Sequence, residues 1–530
     1  MRGRIAGKRN MRAFRAEDVR NHGKQTWVRF PGAGAHHNAP VHVIRSWPAQ
    51  AGALAVGLLL VLLGWAVLTP VGSSPDDDYH LASIWCAAGE RSGACEIDPE
   101  NTQARLVRED VADAYRCYAF NPEVNASCTE ELSSDPVSTT RVNQTAGLYP
   151  PGFYAAMGAL VGDDPAASVL AMRVVNSLLA AGLLFAGLVL APRGIARAVA
   201  FATLIVYVPI GLYIIPSTNP SSWALSGVAA FWTFGLSLML VDAAVPRWRI
   251  IALALGVVVG AVLAVSSRLD SSAYLSAVTV VIAVLVGIGG VRRRWWGGLL
   301  LVAMAVLGLF VYVTTEPPVA PGGEALGTSD PGIGLLLTNS VNVIIYLQEA
   351  VGGPLGWYDI PLPTWVPIIG TLAIGFVLYR QLSFGRSRVL AASGIALAAF
   401  VLVPLAFLQL AGLVVGELIQ PRYLLPLLFV LVATASLAPR IVTTKPWPRA
   451  VLLTMLPALT VSAALSLWYT AHRYAAGSTQ GLFDRDLVTE WNGLTGIPWL
   501  LVVLIAMSAT AFTYAVGYLL VSPRRDESVT

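Results

Sequence analysis

Twelve apolar segments of roughly 20 residues each limit how this chain can fold. A helix of that length crosses a hydrocarbon core about 30 Å thick. Backbone polar groups in lipid must bond within a helix or a closed barrel. The sequence therefore predicts an all-α integral membrane protein with about 12 transmembrane helices. The segments are approximately 51–70, 165–191, 195–215, 221–244, 249–266, 271–291, 296–315, 364–380, 389–412, 417–439, 449–470 and 497–521.

The charged residues divide between the two sides of these segments. If the N-terminus is cytoplasmic, the cytoplasmic pieces contain 25 of the 35 lysines and arginines but only five of the 31 acids. Under the positive-inside rule this pattern predicts a multi-pass plasma-membrane protein with both termini in the cytoplasm. The acidic, loop-rich face then lies outside, where we expect the functional site.

One membrane domain, residues 48–521, accounts for most of the chain. It follows a basic segment, residues 1–47, which is poor in aliphatic residues and predicts a disordered cytoplasmic tail. Residues 522–530 form a short C-terminal cytoplasmic tail. No soluble domain large enough to stand alone is expected.

Three extracytoplasmic loops are long, at 71–164, 316–363 and 471–496. The first is predicted to be structured, with a surface helix over 104–118, where the apolar residues have helical spacing. The apolar stretch 333–350 in the second loop predicts a further helix lying at the membrane interface. The segment 149–162 is apolar but too short to span, and it predicts a re-entrant or interfacial helix.

All four cysteines lie in the first outer loop: Cys86, Cys95, Cys117 and Cys128. An even number of cysteines on an oxidising side predicts two disulfides. Four cysteines allow three pairings, and we favour Cys86–Cys95 with Cys117–Cys128 because each closes a short loop. Free thiols are the alternative.

Three adjacent carboxylates follow the first span: Asp76, Asp77 and Asp78, with His80 close behind. Their mutual repulsion predicts a raised pKa for at least one of them unless a cation lies nearby. A divalent cation held by Asp76 and Asp77 would relieve the repulsion. A carboxylate at this position can also accept a proton from a hydroxyl group. The alternative is an acidic turn that only caps the next helix.

Three arginines lie near outer ends of predicted spans: Arg173, Arg268 and Arg422. An arginine within a span costs roughly 2.5–3.5 kcal/mol on insertion scales, so it indicates function by default. Arginine binds phosphate oxygens bidentately, and three arginines at one face suit a lipid phosphate. The alternative for each is an ion pair with an outer acid such as Asp270 or Glu417.

The segment around Trp357, Leu-Gly-Trp-Tyr-Asp-Ile-Pro-Leu-Pro, directly precedes the eighth span. Aromatic residues at an interface are usually membrane anchors. Stacking on a sugar or lining a lipid groove is the alternative. Walker A, GxGxxG and HExxH patterns are missing from the sequence, so it gives no basis for nucleotide hydrolysis or a zinc protease.

Residues 50–520 resemble a family of bacterial polytopic membrane proteins placed with the GT-C glycosyltransferases, which use polyprenyl-phosphate sugars. The composition, rich in Ala, Gly and Arg, is similar to that of actinobacterial proteins. Asp77 departs from the glutamate usual in the family and Pro421 from its usual glycine. The matching residues are Pro75, Asp76, Asp77 and His80; Tyr149-Pro150-Pro151; Arg173 and Asn176; Leu355-Gly356-Trp357 and Leu362-Pro363; and Gln420, Arg422, Tyr423 and Pro426.

This resemblance implies an inverting membrane glycosyltransferase. It would move a sugar from a polyprenyl-phosphate donor to an envelope glycan, lipid or protein on the extracytoplasmic face. Nucleic acid is not expected as a partner. The implied roles are a base (Asp76), its partner or metal ligand (Asp77), an orienting residue (His80), phosphate ligands (Arg268 and Arg422, supported by Arg173 or Arg473) and further substrate-binding residues (Tyr149, Trp357 and Tyr423).

Two alternatives remain open on the sequence. One is a flippase, transporter or binding protein for a lipid-linked sugar, since Pro209 and Gly211 interrupt the third span. The other is a structural envelope protein. Charges that cluster at the outer face, beside span centres composed mainly of Leu, Val and Ala, favour the transferase.

Overall fold

A computed structural model describes residues 46–242, 244–315, 332–417, 420–438, 441, 447–477 and 499–522. The chain divides into two units, Met1–Val43 and Ile44–Thr530, and the described residues belong to the second. The predicted tails at 1–47 and 522–530 lie almost wholly outside the described residues. So do residues 316–331 and 478–496 of the second and third outer loops.

Most of the described residues lie in helices. The α-helices are α1 (Trp47–Leu68), α2 (Asp77–Trp85), α3 (Glu109–Ala112), α4 (Asn143–Ala146), α5 (Gly152–Gly158), α6 (Pro165–Leu190), α7 (Arg193–Val206), α8 (Leu212–Ile214), α9 (Ser221–Leu240), α10 (Arg247–Ser267), α11 (Leu269–Arg293), α12 (Trp295–Thr314), α13 (Ile333–Gly352), α14 (Trp365–Phe384), α15 (Ser387–Ala411), α16 (Leu425–Ala435), α17 (Arg449–Ala476) and α18 (Trp499–Val521). A π-turn, Tyr207–Gly211, joins α7 to α8, and 3₁₀ turns cover Ala126–Glu131 and Pro421–Leu424.

In the described part of the chain, twelve helical segments are long and apolar enough to cross a membrane, with α7 and α8 counted as one. This confirms the predicted all-α polytopic fold class. The peripheral helices expose apolar side chains, such as Leu299 at 60% and Phe310 at 63%. Such surfaces are stable where lipid is the solvent, because lipid does not penalise exposed hydrocarbon.

One of the twelve, α13, has both ends at the same face of the bundle. Near its start, Asn339 bonds the backbone of Leu413 and Val415, just beyond the end of α15. Its end, Gly352, packs against Pro367 at the start of α14. Because α14 and α15 are consecutive antiparallel spans, these two attachment points lie on one side. Helix α13 therefore lies along that face, as the sequence predicted for 333–350.

The short helix α16 occupies the centre of the bundle, and every one of its residues is buried. It begins beside the acidic loop, where Arg422 pairs with Asp76. At the opposite end of the bundle, Trp447 packs on Phe201 and under the guanidinium of Arg380. Helix α16 therefore provides the crossing that the sequence assigned to 417–439, although it is shorter than a typical span.

The arginines of the basic end bind the carbonyl groups that end neighbouring helices. Arg249 donates to the carbonyl of Leu190 at 2.8 Å, and Arg294 donates to that of Val241 at 2.6 Å. The last carbonyls of a helix lack partners within the helix and carry partial negative charge. These basic clusters therefore join helix ends as well as marking one face of the bundle.

The first outer loop is a small structured unit over the opposite end. Strands β1 (Glu96–Ile97), β2 (Arg105–Arg108) and β3 (Pro136–Thr139) form an antiparallel sheet in that order. The helix predicted over 104–118 is wrong, because Arg105–Arg108 pairs with β3 and only the short α3 follows. Both favoured disulfides are present, with Cα–Cα distances of 5.2 Å for Cys86–Cys95 and 5.9 Å for Cys117–Cys128.

Candidate functional site

The acidic motif occupies a tight turn between α1 and α2. Asp76 precedes the first residue of α2 and has a left-handed backbone, with φ 62° and ψ 19°. Few non-glycine residues adopt this conformation, and Asp is among those that tolerate it. The turn directs the three neighbouring carboxylates toward three different partners.

Asp76 is the acid that forms an ion pair across the bundle. Its Oδ2 lies 2.6 Å from Nη2 of Arg422, and its side chain is 27% exposed against 4% for the arginine. Burial raises the pKa of Asp76, but the positive charge of Arg422 opposes burial and, together with smaller contributions, brings the pKa below its usual range. At neutral pH Asp76 is therefore ionised, and while the pair persists it is a weak base.

Asp77 is buried and holds the turn together. Its two carboxylate oxygens accept hydrogen bonds from the hydroxyl of Thr218 at 2.7 Å and the backbone N–H of Ser74 at 3.0 Å. Burial raises its pKa to about 7 despite these bonds. Burial also raises the pKa of Asp78, which forms an ion pair with Arg141. The predicted rise in pKa is present, but desolvation is its main cause rather than repulsion between neighbours.

Arg422 has more hydrogen-bond donors than partners. One Nη2 hydrogen bond goes to Asp76, while its Nε and Nη1 are buried with no partner among the described residues. Burying an unpaired polar group costs about 1–3 kcal/mol, and more when the group is charged. These donors are therefore suited to an incoming anionic oxygen.

Arg268 and Arg422 both lie against the ring of Tyr423. The guanidinium of Arg268 is 3.5 Å from the centroid of the Tyr423 ring, and that of Arg422 is 5.0 Å away. Arg268 also makes two hydrogen bonds of 2.9 Å to Asp270, which is the ion pair that the sequence left open. The electron-rich ring of Tyr423 is therefore shared by two positive charges, which it attracts.

A small cavity of about 20 Å³, room for about one water molecule, adjoins Arg422. Arg422 and Pro75, the residue before Asp76, contribute to its wall. Tyr358 and Glu349 add polar groups, and the rest of the lining is mostly apolar: Ile210, Ile214, Pro354, Leu355 and Pro421. A few polar groups in an otherwise apolar wall are typical of ligand sites, but a ligand larger than water enters a cavity of this size only when its wall opens.

His80 forms an aromatic cluster behind the acidic turn. It is fully buried, and burial lowers its pKa to about 3, so the ring is neutral. Its Nδ1 lies 2.9 Å from the hydroxyl of Tyr154, and the ring centroid of Tyr149 is 5.1 Å away. Its Nε2 is buried with no partner among the residues described. The hydrogen bond to Tyr154 fixes the ring, which sits beside Asp76 without bonding its carboxylate.

Two predicted phosphate ligands lie elsewhere and act as braces. Arg173 donates to the carbonyls of Ala66, Thr69 and Pro70 at 3.2, 2.5 and 2.7 Å, where α1 ends. Nη1 and Nη2 of Arg473 are similarly bound by loop carbonyls and by a carboxylate: Tyr118, Asn121, Val124 and Asp359. In both arginines only Nε is buried without a partner among the described residues, whereas Arg422 also leaves Nη1 unpaired. Both arginines therefore hold the outer loop to the bundle.

Trp357 is also a brace. Its indole N–H donates to the carbonyl of Gly72 at 2.8 Å, and its ring stacks on Tyr115 at 4.6 Å. Its face is therefore covered by the protein's own aromatic side chain. The structure thus brings together Asp76, His80, Tyr149, Arg268, Arg422 and Tyr423, and places Asp77, Arg173, Trp357 and Arg473 in the support around them.

A model of the family described as "Predicted membrane protein (DUF2142)" matches residues 59–431, which is more than half of the chain. The chain belongs to this family. No curated protein and no solved structure matches it. The matched range starts within α1 and ends within α16, so it includes the acidic turn, Arg268 and Arg422.

The acids of this DUF2142 chain do not fit the divalent cation that the sequence left open at Asp76 and Asp77. Asp76 faces Arg422, whereas both oxygens of Asp77 are bound by Thr218 and Ser74. Within the described ranges, no group of three or more His, Cys, Asp or Glu residues could hold a metal ion. We therefore derive no step that uses a metal.

Sequence reasoning missed several residues of the site: Arg141, Tyr154, Thr218 and Glu349. Tyr154 follows the Tyr149-Pro150-Pro151 motif closely and could have been associated with it. Thr218 lies in a polar run, Ser217-Thr218-Asn219, between two spans, which indicates an outer turn. No local pattern links Arg141 to the acidic turn, because their contact depends on the folding of the outer loop.

Proposed function

We propose that this protein is an inverting GT-C-type glycosyltransferase. It would transfer a sugar from a polyprenyl phosphate to an envelope acceptor on the extracytoplasmic face. The observation that carries the proposal is the Asp76–Arg422 pair beside a cavity, in which the buried arginine keeps two unpartnered donors. A base next to an unsatisfied cation is what transfer from a phosphate requires.

In this reaction an acceptor hydroxyl attacks the anomeric carbon of the donor sugar. Asp76 takes the hydroxyl proton as the new C–O bond forms. The bond from the anomeric carbon to the phosphate oxygen breaks, and the polyprenyl phosphate leaves with the bonding electrons. Arg422 and Arg268 stabilise the negative charge that develops on the phosphate.

The resting ion pair must open for this to happen. When the donor phosphate binds Arg422, it neutralises the charge that lowers the pKa of Asp76. The effect of burial then dominates, so the pKa of Asp76 rises and the carboxylate becomes a stronger base. Donor binding would thus activate the base only when a leaving group is in place.

A lipid donor is supported by the position and lining of the cavity. Helix α13 lies along the outer face and contributes Glu349 to the cavity. The residues that precede Glu349 at intervals of four on this helix form an exposed apolar stripe: Ile333, Leu337, Val341 and Ile345. A cavity next to such a stripe is accessible to a headgroup whose hydrocarbon chain stays in the outer leaflet.

The test combines a transfer assay and a donor-binding assay on purified protein with a panel of polyprenyl-phosphate sugars. Arg422→Ala should weaken donor binding by roughly tenfold or more, since it removes charge-assisted contacts. Arg116→Ala is the matched control, because Arg116 is an exposed outer arginine paired with Asp113. Full donor binding by Arg422→Ala would contradict the proposal.

The flippase alternative is favoured by one observation. Val208 has non-helical angles inside the Tyr207–Gly211 turn, and Ile210 of the same turn lines the cavity. Interrupted helices beside a cavity are typical of transporters. Movement of the donor across liposomes without transfer to any acceptor would establish this alternative instead.

A further inference from the structure

Glu349 is a carboxylate that the proposed reaction does not use. It is the only charged residue in α13 and lies three residues before the helix ends. It is half-buried and lines the same cavity as Arg422 and Tyr358. A carboxylate retained on such an apolar helix is expected to have a polar partner.

The placement of α13 explains how Glu349 reaches the cavity. Tyr346 and Ala350, each 1% exposed, fix this turn of the helix against the protein. Gly353 then donates its N–H to the carbonyl of Glu349 at 2.8 Å and ends the helix. Residue 349 is thereby held beside Tyr358 at the edge of the helix that borders the cavity.

The carboxylate of Glu349 also has free hydrogen-bonding capacity. No hydrogen bond or ion pair joins it to another side chain or backbone group within the described ranges. The nearby acid Asp359 differs, because its oxygens accept hydrogen bonds from the backbone N–H of Trp357 at 3.0 Å and from Nη2 of Arg473 at 3.2 Å. Asp359 does not line the cavity either, so of these two acids Glu349 is the one placed to accept hydrogen bonds from a ligand there.

The cavity therefore has a cationic part and an acidic part. Arg422 attracts anionic oxygens, whereas an ionised carboxylate accepts hydrogen bonds from hydroxyl groups. A glycosyl phosphate carries both kinds of group, because its phosphate is attached to the anomeric carbon and its hydroxyls to the other carbons of the sugar. The cavity is about 20 Å³ as it stands, so such a ligand binds between Arg422 and Glu349 only when the wall opens.

We infer that Glu349 binds hydroxyl groups of the donor sugar and so determines which sugar is accepted. This inference rests on the proposed function. It adds a sugar subsite on α13 to the phosphate subsite at Arg422. Asp76 would act on the acceptor hydroxyl, so the two carboxylates have separate roles.

The experiment compares two ligands, a polyprenyl-phosphate sugar and the same polyprenyl phosphate without its sugar. Glu349→Ala should weaken binding of the sugar-bearing lipid by about tenfold or more, the size of a lost hydrogen bond to a charged group. It should leave binding of the bare lipid unchanged. Glu349→Gln keeps an acceptor oxygen and should lose less affinity than Glu349→Ala. The matched control is Gln348→Ala, at an exposed neighbouring position on α13.

The outcomes separate this inference from the proposed function. If Glu349→Ala and the wild type bind the sugar-bearing lipid equally, the sugar subsite is wrong and the transferase proposal stands. Equal losses for both lipids would also overturn the subsite, because the effect would then not depend on the sugar. A wild-type protein that binds neither lipid would overturn the proposed function, and the inference with it.

Discussion

At the scale of single residues, the charge on Asp76 depends on a partner 346 positions away in the sequence. Its neighbours Asp77 and Asp78 have the same side chain and almost the same local sequence. Thr218 and Ser74 bind Asp77, whereas Arg141 binds Asp78. Of these three acids, Asp76 alone is partly exposed and paired with an arginine whose Nε and Nη1 lack a partner among the described residues.

This environment predicts two different acid limbs in the pH–rate profile. In the free enzyme Arg422 holds the pKa of Asp76 below its usual range. In the donor complex the phosphate neutralises Arg422, so the pKa rises. Because a base loses activity as pH falls through its pKa, kcat should decline at a higher pH than kcat/KM does. The measurement is a steady-state pH series, and coincident limbs would contradict activation by the donor.

The sequence could predict which residue types meet at the site but not their pairing. Asp76, Arg268 and Arg422 were identified from their positions at outer span ends, and the structure brings them together. Arg173 has the same sequence signature, yet its Nη1 and Nη2 are used by carbonyls that end α1. The difference depends on which helices are neighbours, and hydropathy carries no information on that.

At the scale of elements, Arg173 joins α6 to the end of α1. We predict that Arg173→Ala lowers the free energy of unfolding by roughly 3 kcal/mol or more, because it leaves several buried carbonyls without donors. Thermal unfolding in detergent measures this loss. The control Arg116→Ala should change stability by less than about 1 kcal/mol, since Arg116 is 66% exposed.

The same variant distinguishes a brace from a ligand. If Arg173→Ala kept its melting temperature but lost donor binding, Arg173 would be a phosphate ligand, as the sequence first indicated. We expect instead a destabilised protein whose folded fraction binds the donor normally.

The disulfides belong to the same scale, because they brace the outer loop that carries Arg141 and Tyr149. Replacing both Cys117 and Cys128 with Ala should lower the free energy of unfolding by about 2–3 kcal/mol, as expected for a loop of this length. Mass spectrometry of non-reduced peptides should first find Cys86–Cys95 and Cys117–Cys128. Four alkylatable thiols in the native protein would contradict the pairing.

At the scale of the whole molecule, apolar length alone predicted the fold class but could not identify every crossing. Helix α13 has the length and composition of a span, yet its two ends meet the same face. Helix α16 is shorter than a span and crosses the centre, where other helices rather than lipid surround it. A helix surrounded by protein does not need the length that crosses the hydrocarbon core of a bilayer. That α16 crosses the bundle can therefore be recognised only from its packing against other helices.

The orientation of the bundle in the membrane is a prediction from charge. We expect the basic end, which includes Arg294 and Arg386, to face the cytoplasm and the disulfide-containing loop to face outward. A cysteine introduced by Ser383→Cys should be protected from an impermeant reagent in intact cells and labelled after permeabilisation. Labelling from outside in intact cells would contradict this orientation.

The central claim is that Asp76 is the base of a sugar transfer. The most direct measurement is single-turnover transfer by Asp76→Asn, beside the matched control Asp78→Asn, with donor affinity measured for both. We predict that Asp76→Asn remains folded and binds the donor but loses transfer by at least about 100-fold, because the amide keeps the shape and lacks the basicity. Asp78→Asn should retain most transfer. Wild-type transfer by Asp76→Asn would contradict the account.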